Sequence, residues 1–140
     1  EENQLIDAEK LIDEGLIIAV HHPIFIKMKA RLLVERHDYT QAINLLNQST
    51  PNINQDPDYY ELKASILQQM HQTNLAIDTY NQLVQVMPEN GNWWVGLAIN
   101  LEENNQNNQA IQAYQQAINS ELTKPELKTY AVTRIQQLKE

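Results

Sequence analysis

Ala8, Ala42, Ala76 and Ala110 stand 34 residues apart, and each opens a similar stretch: AEKLI, AINLL, AIDTY and AIQAY. A fixed period of that length is the mark of a stacked helical repeat, in which a helix pair cannot bury its apolar face alone. The period holds at other phases. Cutting at Pro23, Pro57, Gly91 and Pro125 gives units 23–56, 57–90 and 91–124, followed by a helix-length remainder at 125–140. The eighth place of the units holds Ala30, Ala64 and Ala98; the fourth holds Ile26, Tyr60 and Trp94, and the twenty-fourth Leu46, Tyr80 and Tyr114. Small residues recur where helices must approach closely, and bulky ones where the gap between them must be filled. The expected fold is an all-α solenoid of antiparallel helix pairs, one domain over 1–140. In it 1–22 supplies the second helix of an earlier, truncated repeat and 125–140 a capping helix.

The periodicity predicts eight helices, near 3–18, 23–36, 40–50, 57–70, 74–87, 92–104, 107–120 and 125–139. Asp56 before Pro57 is a good helix start, because a carboxylate caps free N–H groups while proline occupies the first turn without losing a needed donor. His37, His71 and Asn105 fall at the turn inside each unit, and these residue types tolerate the left-handed conformation that ends a helix. Each unit opens its first helix on two adjacent bulky residues, Phe25–Ile26, Tyr59–Tyr60 and Trp93–Trp94. Neighbours on a helix point about 100° apart, so one of each pair is expected in the core and the other nearer a groove, where it could anchor a partner.

Composition removes several function classes. A formal net charge of −8 opposes nucleic-acid binding, which demands a basic face. There is no cysteine, hence no disulfide, thiol catalysis or thiolate metal site, a pattern that fits cytoplasm or periplasm. The longest apolar run, LIIAV at 16–20, is far too short to span a membrane. His21 and His22 on an extended segment point apart and make no metal site, and no cofactor is expected. No G-x-S-x-G, Gly-rich phosphate loop, H-E-x-x-H or nucleophile with an obvious base is present, and Glu102–Glu103 reads as a solvated helix end; the chain is not read as an enzyme. Charge is unevenly spread: residues 1–14 carry six acids and one base, whereas 21–37 hold Lys27, Lys29, Arg31 and Arg36 against Glu35 alone. The basic heads are expected in solvent over a buried stripe of Phe25, Ile26, Leu33 and Val34.

The spacing of small and aromatic places resembles the tetratricopeptide repeat (TPR) family, the unit 91–124 most closely through Trp94, Leu97, Ala98, Ala110, Tyr114 and Ala117. That resemblance implies a right-handed superhelix that acts as a protein-binding scaffold through its concave groove. The positions that face a ligand in such proteins are here Lys27, Arg31, Glu61, Ser65, Gln68, Asn92, Val95, Ile99 and Glu102, giving a groove basic at one end and polar to apolar at the other. The two-carboxylate clamp of chaperone-binding TPRs is not matched, since Arg31, Leu62, Asn92 and Gly96 stand where it wants Asn, Asn, Lys and Arg. NGNWWVGLAINL at Asn90–Leu101, QDPDYY at Gln55–Tyr60 and the stretch Tyr130–Leu138 are similar to the C-terminal TPR region of the MshN family, which serves biogenesis of the MSHA (mannose-sensitive haemagglutinin) type IV pilus. This similarity implies a periplasmic domain of an inner-membrane-anchored bacterial protein, with its anchor outside these residues and other pilus-assembly proteins as partners. A general TPR adaptor or co-chaperone, and a structural oligomerisation module joined through the N-terminal helix, are the alternatives.

Overall fold

The computed structural model describes residues 1–140 as eight α-helices: α1 (Glu2–Ile18), α2 (Pro23–Glu35), α3 (Tyr39–Leu46), α4 (Pro57–Gln69), α5 (Thr73–Val86), α6 (Gly91–Glu103), α7 (Asn107–Ile118) and α8 (Pro125–Lys139). Each lies within a few residues of its expected position. The starts are capped as the side chains allow. Tyr59 N donates to Asp56 Oδ1 at 3.3 Å, Gln41 N to Asp38 Oδ1 at 3.2 Å and Trp93 N to Asn90 Oδ1 at 3.3 Å. The three turns inside the units are built alike: His37, His71 and Asn105 have φ of 59°, 54° and 60°. The next residue's N–H then reaches back to close the helix, as in Asp38 N to Leu33 O at 2.8 Å and Gln106 N to Leu101 O at 2.8 Å.

The chain divides into two compact units, 1–66 and 67–140, with the boundary inside α4. In the first, α2 packs against both α1 and α3. Ile26, Ala30, Leu33, Ala42 and Leu46 form its centre, and Tyr59 closes the far side, its hydroxyl donating to Leu46 O at 2.5 Å. Burial pushes the Tyr59 phenol up to about 12. α1 contributes little to this core: of its seventeen residues only Ile12 and Gly15 are buried. Gly15 is needed because a Cβ there would sit 2.4 Å from the Phe25 ring.

What ties α1 down is charge. Lys29 Nζ lies 2.7 Å from Glu9 and 2.9 Å from Asp13, and Arg36 Nη2 lies 2.5 Å from the other Glu9 oxygen. Hydrogen bonds from Arg36, then Lys29, hold the Glu9 carboxyl down at about 2. Burial alone would lower the Lys29 ammonium, but its bonds to Glu9 and Asp13 raise it. The expectation of solvated heads over a buried stripe holds only in part: Arg31 and Arg36 are exposed, but Lys27 and Lys29 are half-buried and ion-paired. Ile26 and Leu33 are buried while Phe25 and Val34 are half-buried, and Lys29 and Arg36 are spent on the acids of α1.

In the second unit α6 is the central element, packed on α5, α7 and the edge of α8, while α8 covers α7. α6 buries Trp93, Val95, Gly96, Leu97, Ala98, Asn100 and Leu101 among its thirteen residues. Ala98, Ala110 and Ala117 are fully enclosed, which lets the α6 and α7 backbones approach closely. Gly96 receives the Tyr80 ring from α5; a Cβ there would lie 2.5 Å from it. At the next junction Tyr114 meets Tyr130 edge-on, centroids 6.1 Å apart.

Candidate protein-binding surfaces

The expected groove residues fall into different environments. In the first unit Lys27 Nζ donates to Asp56 Oδ1 at 2.7 Å, so its charge is already met, and Ser65 Oγ donates to the Leu62 carbonyl at 2.9 Å. Arg31 and Glu61 are exposed. In the second unit Gln68, Ile99 and Glu102 come together with Gln69, His71, Glu103 and Tyr130 around an open cleft of about 410 Å³. Asn92 lies instead in a smaller hollow of about 260 Å³, where its side chain both donates to and accepts from Thr123. Val95 belongs to neither. It is 4% exposed, and the expectation that it faces a ligand is corrected on that account: the place that would face the groove is, on α6, turned into the apolar core.

The cleft is preorganised by its own hydrogen bonds. Gln68 Oε1 accepts from Asn100 Nδ2 at 3.1 Å and from the Tyr80 hydroxyl at 3.4 Å, which fixes the amide at one wall. Glu102 accepts from the Tyr114 hydroxyl at 3.0 Å and from Arg134 Nε at 3.2 Å, with a second, short contact from Arg134 Nη2. The Glu102 bond raises the Arg134 guanidinium further, and burial, then the bond with Tyr130, raises the Tyr114 phenol. His71 Nδ1 meets Glu103 at 2.6 Å. The cleft sets half-buried Ile99 and exposed Tyr130 among Gln68, Gln69, Glu102 and Glu103, whose bonded oxygens are already fixed by their internal partners. Such a lining offers a mixed polar and apolar surface on which a side chain of a partner can rest. Sequence reasoning passed over Tyr130 and His71, one in the terminal helix and the other in a turn.

Trp93 and Trp94 separate as their spacing predicts. Trp93 is 3% exposed in the core, while Trp94 is half-buried and donates Nε1 to Pro88 O at 2.7 Å. Trp94, Leu97 and Leu101 line a second cleft of about 440 Å³ on a different face of α6, with glutamines of α7 opposite. No group of three or more His, Asp or Glu is arranged to hold a metal ion, and no helix is long and apolar enough to cross a membrane.

No family model matches the sequence, and no curated protein matches it. Solved structures do. MamA from Desulfovibrio magneticus RS-1 superposes with a TM-score of 0.75 at 15% identity, over 95% of this chain and 82% of that one. The Sgt2 TPR domain from Aspergillus fumigatus gives 0.71 at 20% identity, over 84% and 80%. The first TPR domain of human RPAP3 gives 0.68 at 16% identity, over 85% and 94%. The likeness is one of fold, and it agrees with the 34-residue period, the left-handed turns and the enclosed alanines: the chain is an all-α helical-repeat protein with the tetratricopeptide repeat fold.

Proposed function

We propose that this protein is a non-catalytic scaffold that holds a segment of another protein in the cleft of residues 67–140. The observation that carries the reading is that cleft: Ile99 and Tyr130 line it beside polar side chains, and Gln68 and Glu102 are locked by hydrogen bonds before any ligand arrives. Groups already fixed cost little further entropy when a partner binds, so a short segment can be held. The partners are proposed to be components of an MSHA-type type IV pilus, met in the periplasm by a protein anchored in the inner membrane. That finer reading is supported by the similarity of Asn90–Leu101, Gln55–Tyr60 and Tyr130–Leu138 to the MshN family.

The test is crosslinking in the native envelope with a photoreactive amino acid at Ile99. Crosslinks to pilus-assembly proteins that disappear in a Tyr130→Asp background support both levels. Crosslinks to chaperones make the protein a general adaptor instead, and crosslinks only to itself make it an oligomerisation module. No crosslink at Ile99, with crosslinks from Trp94, moves the binding site to the other face of α6.

A further inference from the structure

The cleft beside Trp94, within residues 67–140, is lined without a single charged group. Five exposed primary amides ring it: Asn81 from α5, and Gln109, Gln112, Gln115 and Gln116 from α7. Gln109, Gln112 and Gln116 follow the spacing that sets residues along one stripe of a helix. The row is not a general property of the repeat, since Leu75 and Asp78 hold the places of Gln109 and Gln112 in 57–90. Gln109 Oε1 accepts from Gln106 at 2.7 Å, but the side chains of Asn81, Gln112, Gln115 and Gln116 bond to no other group of the protein.

The floor of the cleft is closed. Leu97 is 3%, Leu101 7% and Ala113 3% exposed, so the apolar surface on offer is that of half-buried Trp94. Its Nε1 is already committed to the Pro88 carbonyl at 2.7 Å, which fixes the indole and leaves the ring itself as its contribution to a ligand. The cleft thus combines one anchored aromatic ring with a set of unbonded amides, in a volume of about 440 Å³.

We propose that this cleft binds a neutral glycan, with a pyranose ring against the Trp94 indole and its hydroxyls bonded by the amides of Asn81, Gln112 and Gln116.

The chemistry of the lining selects this class. A sugar hydroxyl both donates and accepts, and a primary amide offers two donors and an acceptor oxygen to match it. The C–H bonds on the less hydroxylated face of a pyranose carry partial positive charge, which suits the negative face of an aromatic ring. A phosphate or carboxylate ligand would find no cation here, and an apolar anchor from a protein would find no hole to fill, because the leucines beneath are covered. The site is separate from the cleft at Ile99 and lies on another face of α6.

NMR titration of the isotope-labelled full chain with cello-, malto-, manno- and chito-oligosaccharides tests this. At least one series is expected to shift the Trp94 indole N–H and the side-chain amide signals of Gln112 and Gln116 at millimolar concentration, leaving the signals of Ile99 in place. Gln112→Ala combined with Gln116→Ala removes two exposed and unbonded amides, so the fold should be untouched while affinity falls about tenfold. Trp94→Ala, checked for unchanged helicity, should abolish binding, and Trp94→Tyr, which supplies the ring that Tyr60 carries at the same place in 57–90, should restore part of it. Molar salt should leave the affinity unchanged, because no charge takes part. Absence of any shift across all four series overturns the proposal. So does binding that survives Trp94→Ala, binding that molar salt abolishes, or a protein segment crosslinked at Trp94 that no oligosaccharide displaces.

Discussion

α1 and α7 occupy the same place in the repeat and are held by opposite means. α7 is fixed by shape: Ala110, Ala113, Tyr114 and Ala117 are buried where it packs against α6 and α8. α1 has only Ile12 and Gly15 in the core, and its attachment runs through Glu9, Lys29 and Arg36. Packing contacts are insensitive to salt and pH, whereas partly exposed ion pairs are screened and titrated. A single sequence period can therefore build helices of very different robustness.

The sharpest way to break this contrast is in the core of the second unit. Trp93→Ala removes a nearly enclosed indole and should cost about 3–5 kcal/mol, read as a large drop in the urea midpoint. A loss below 1 kcal/mol would mean that packing does not dominate there. Ala98→Leu should cost about 1–3 kcal/mol by forcing α6 away from its neighbours, and a melting temperature that does not move would refute the close approach. In the first unit Tyr59→Phe keeps the ring but abandons the Leu46 carbonyl, for about 1 kcal/mol in chemical denaturation.

The smallest effect is the most diagnostic. Glu9→Gln should leave global unfolding nearly unchanged while amide exchange across α1 accelerates, and molar salt should do the same to the wild type. Acid acts through the same carboxyl. With its folded pKa near 2 against an ordinary 4.5, the contribution of Glu9 is complete above pH 4.5 and is lost as pH falls toward 2. α1 should loosen across that window in the wild type and show no such acid transition in Glu9→Gln. Equal acid loosening in both proteins would shift the attachment of α1 to another carboxylate, Asp13, which also meets Lys29, and no loosening in either would assign it to apolar contacts.

The helices and turns were legible because they repeat: a 34-residue period samples each structural place several times, so His37, His71 and Asn105 reveal one turn together. The glycine contacts were not, because each occurs once. Nothing at Gly15 announces Phe25, and nothing at Gly96 announces Tyr80. The ion pairs were hidden for a related reason. Lys29 and Arg36 look like a basic surface until α1 brings Glu9 and Asp13 over them, and sequence places the charges without saying which helix faces which. For Val95 the family pattern assigns the place to the groove, while on α6 that place is enclosed by this chain's own apolar neighbours. The proposed cleft was half visible: Gln68, Ile99 and Glu102 stand at places the pattern names, whereas Tyr130 and His71 come from elements that the pattern does not treat as binding surface.

The Tyr80 ring against Gly96 also gives the repeats an order. Glycine stands at the sixth place of the unit 91–124, but Leu62 holds that place in 57–90 and Tyr130 in the terminal segment. A tandem copy of 57–90 would drive the Tyr80 ring into a leucine where it now finds an empty space. A duplicate inserted at this junction therefore needs either the glycine to travel with its new neighbour or the tyrosine ring to take another position, since at the next junction Tyr114 and Tyr130 fill the same two places side by side. The units have ceased to be interchangeable parts, and the array has acquired a direction in which it can be read.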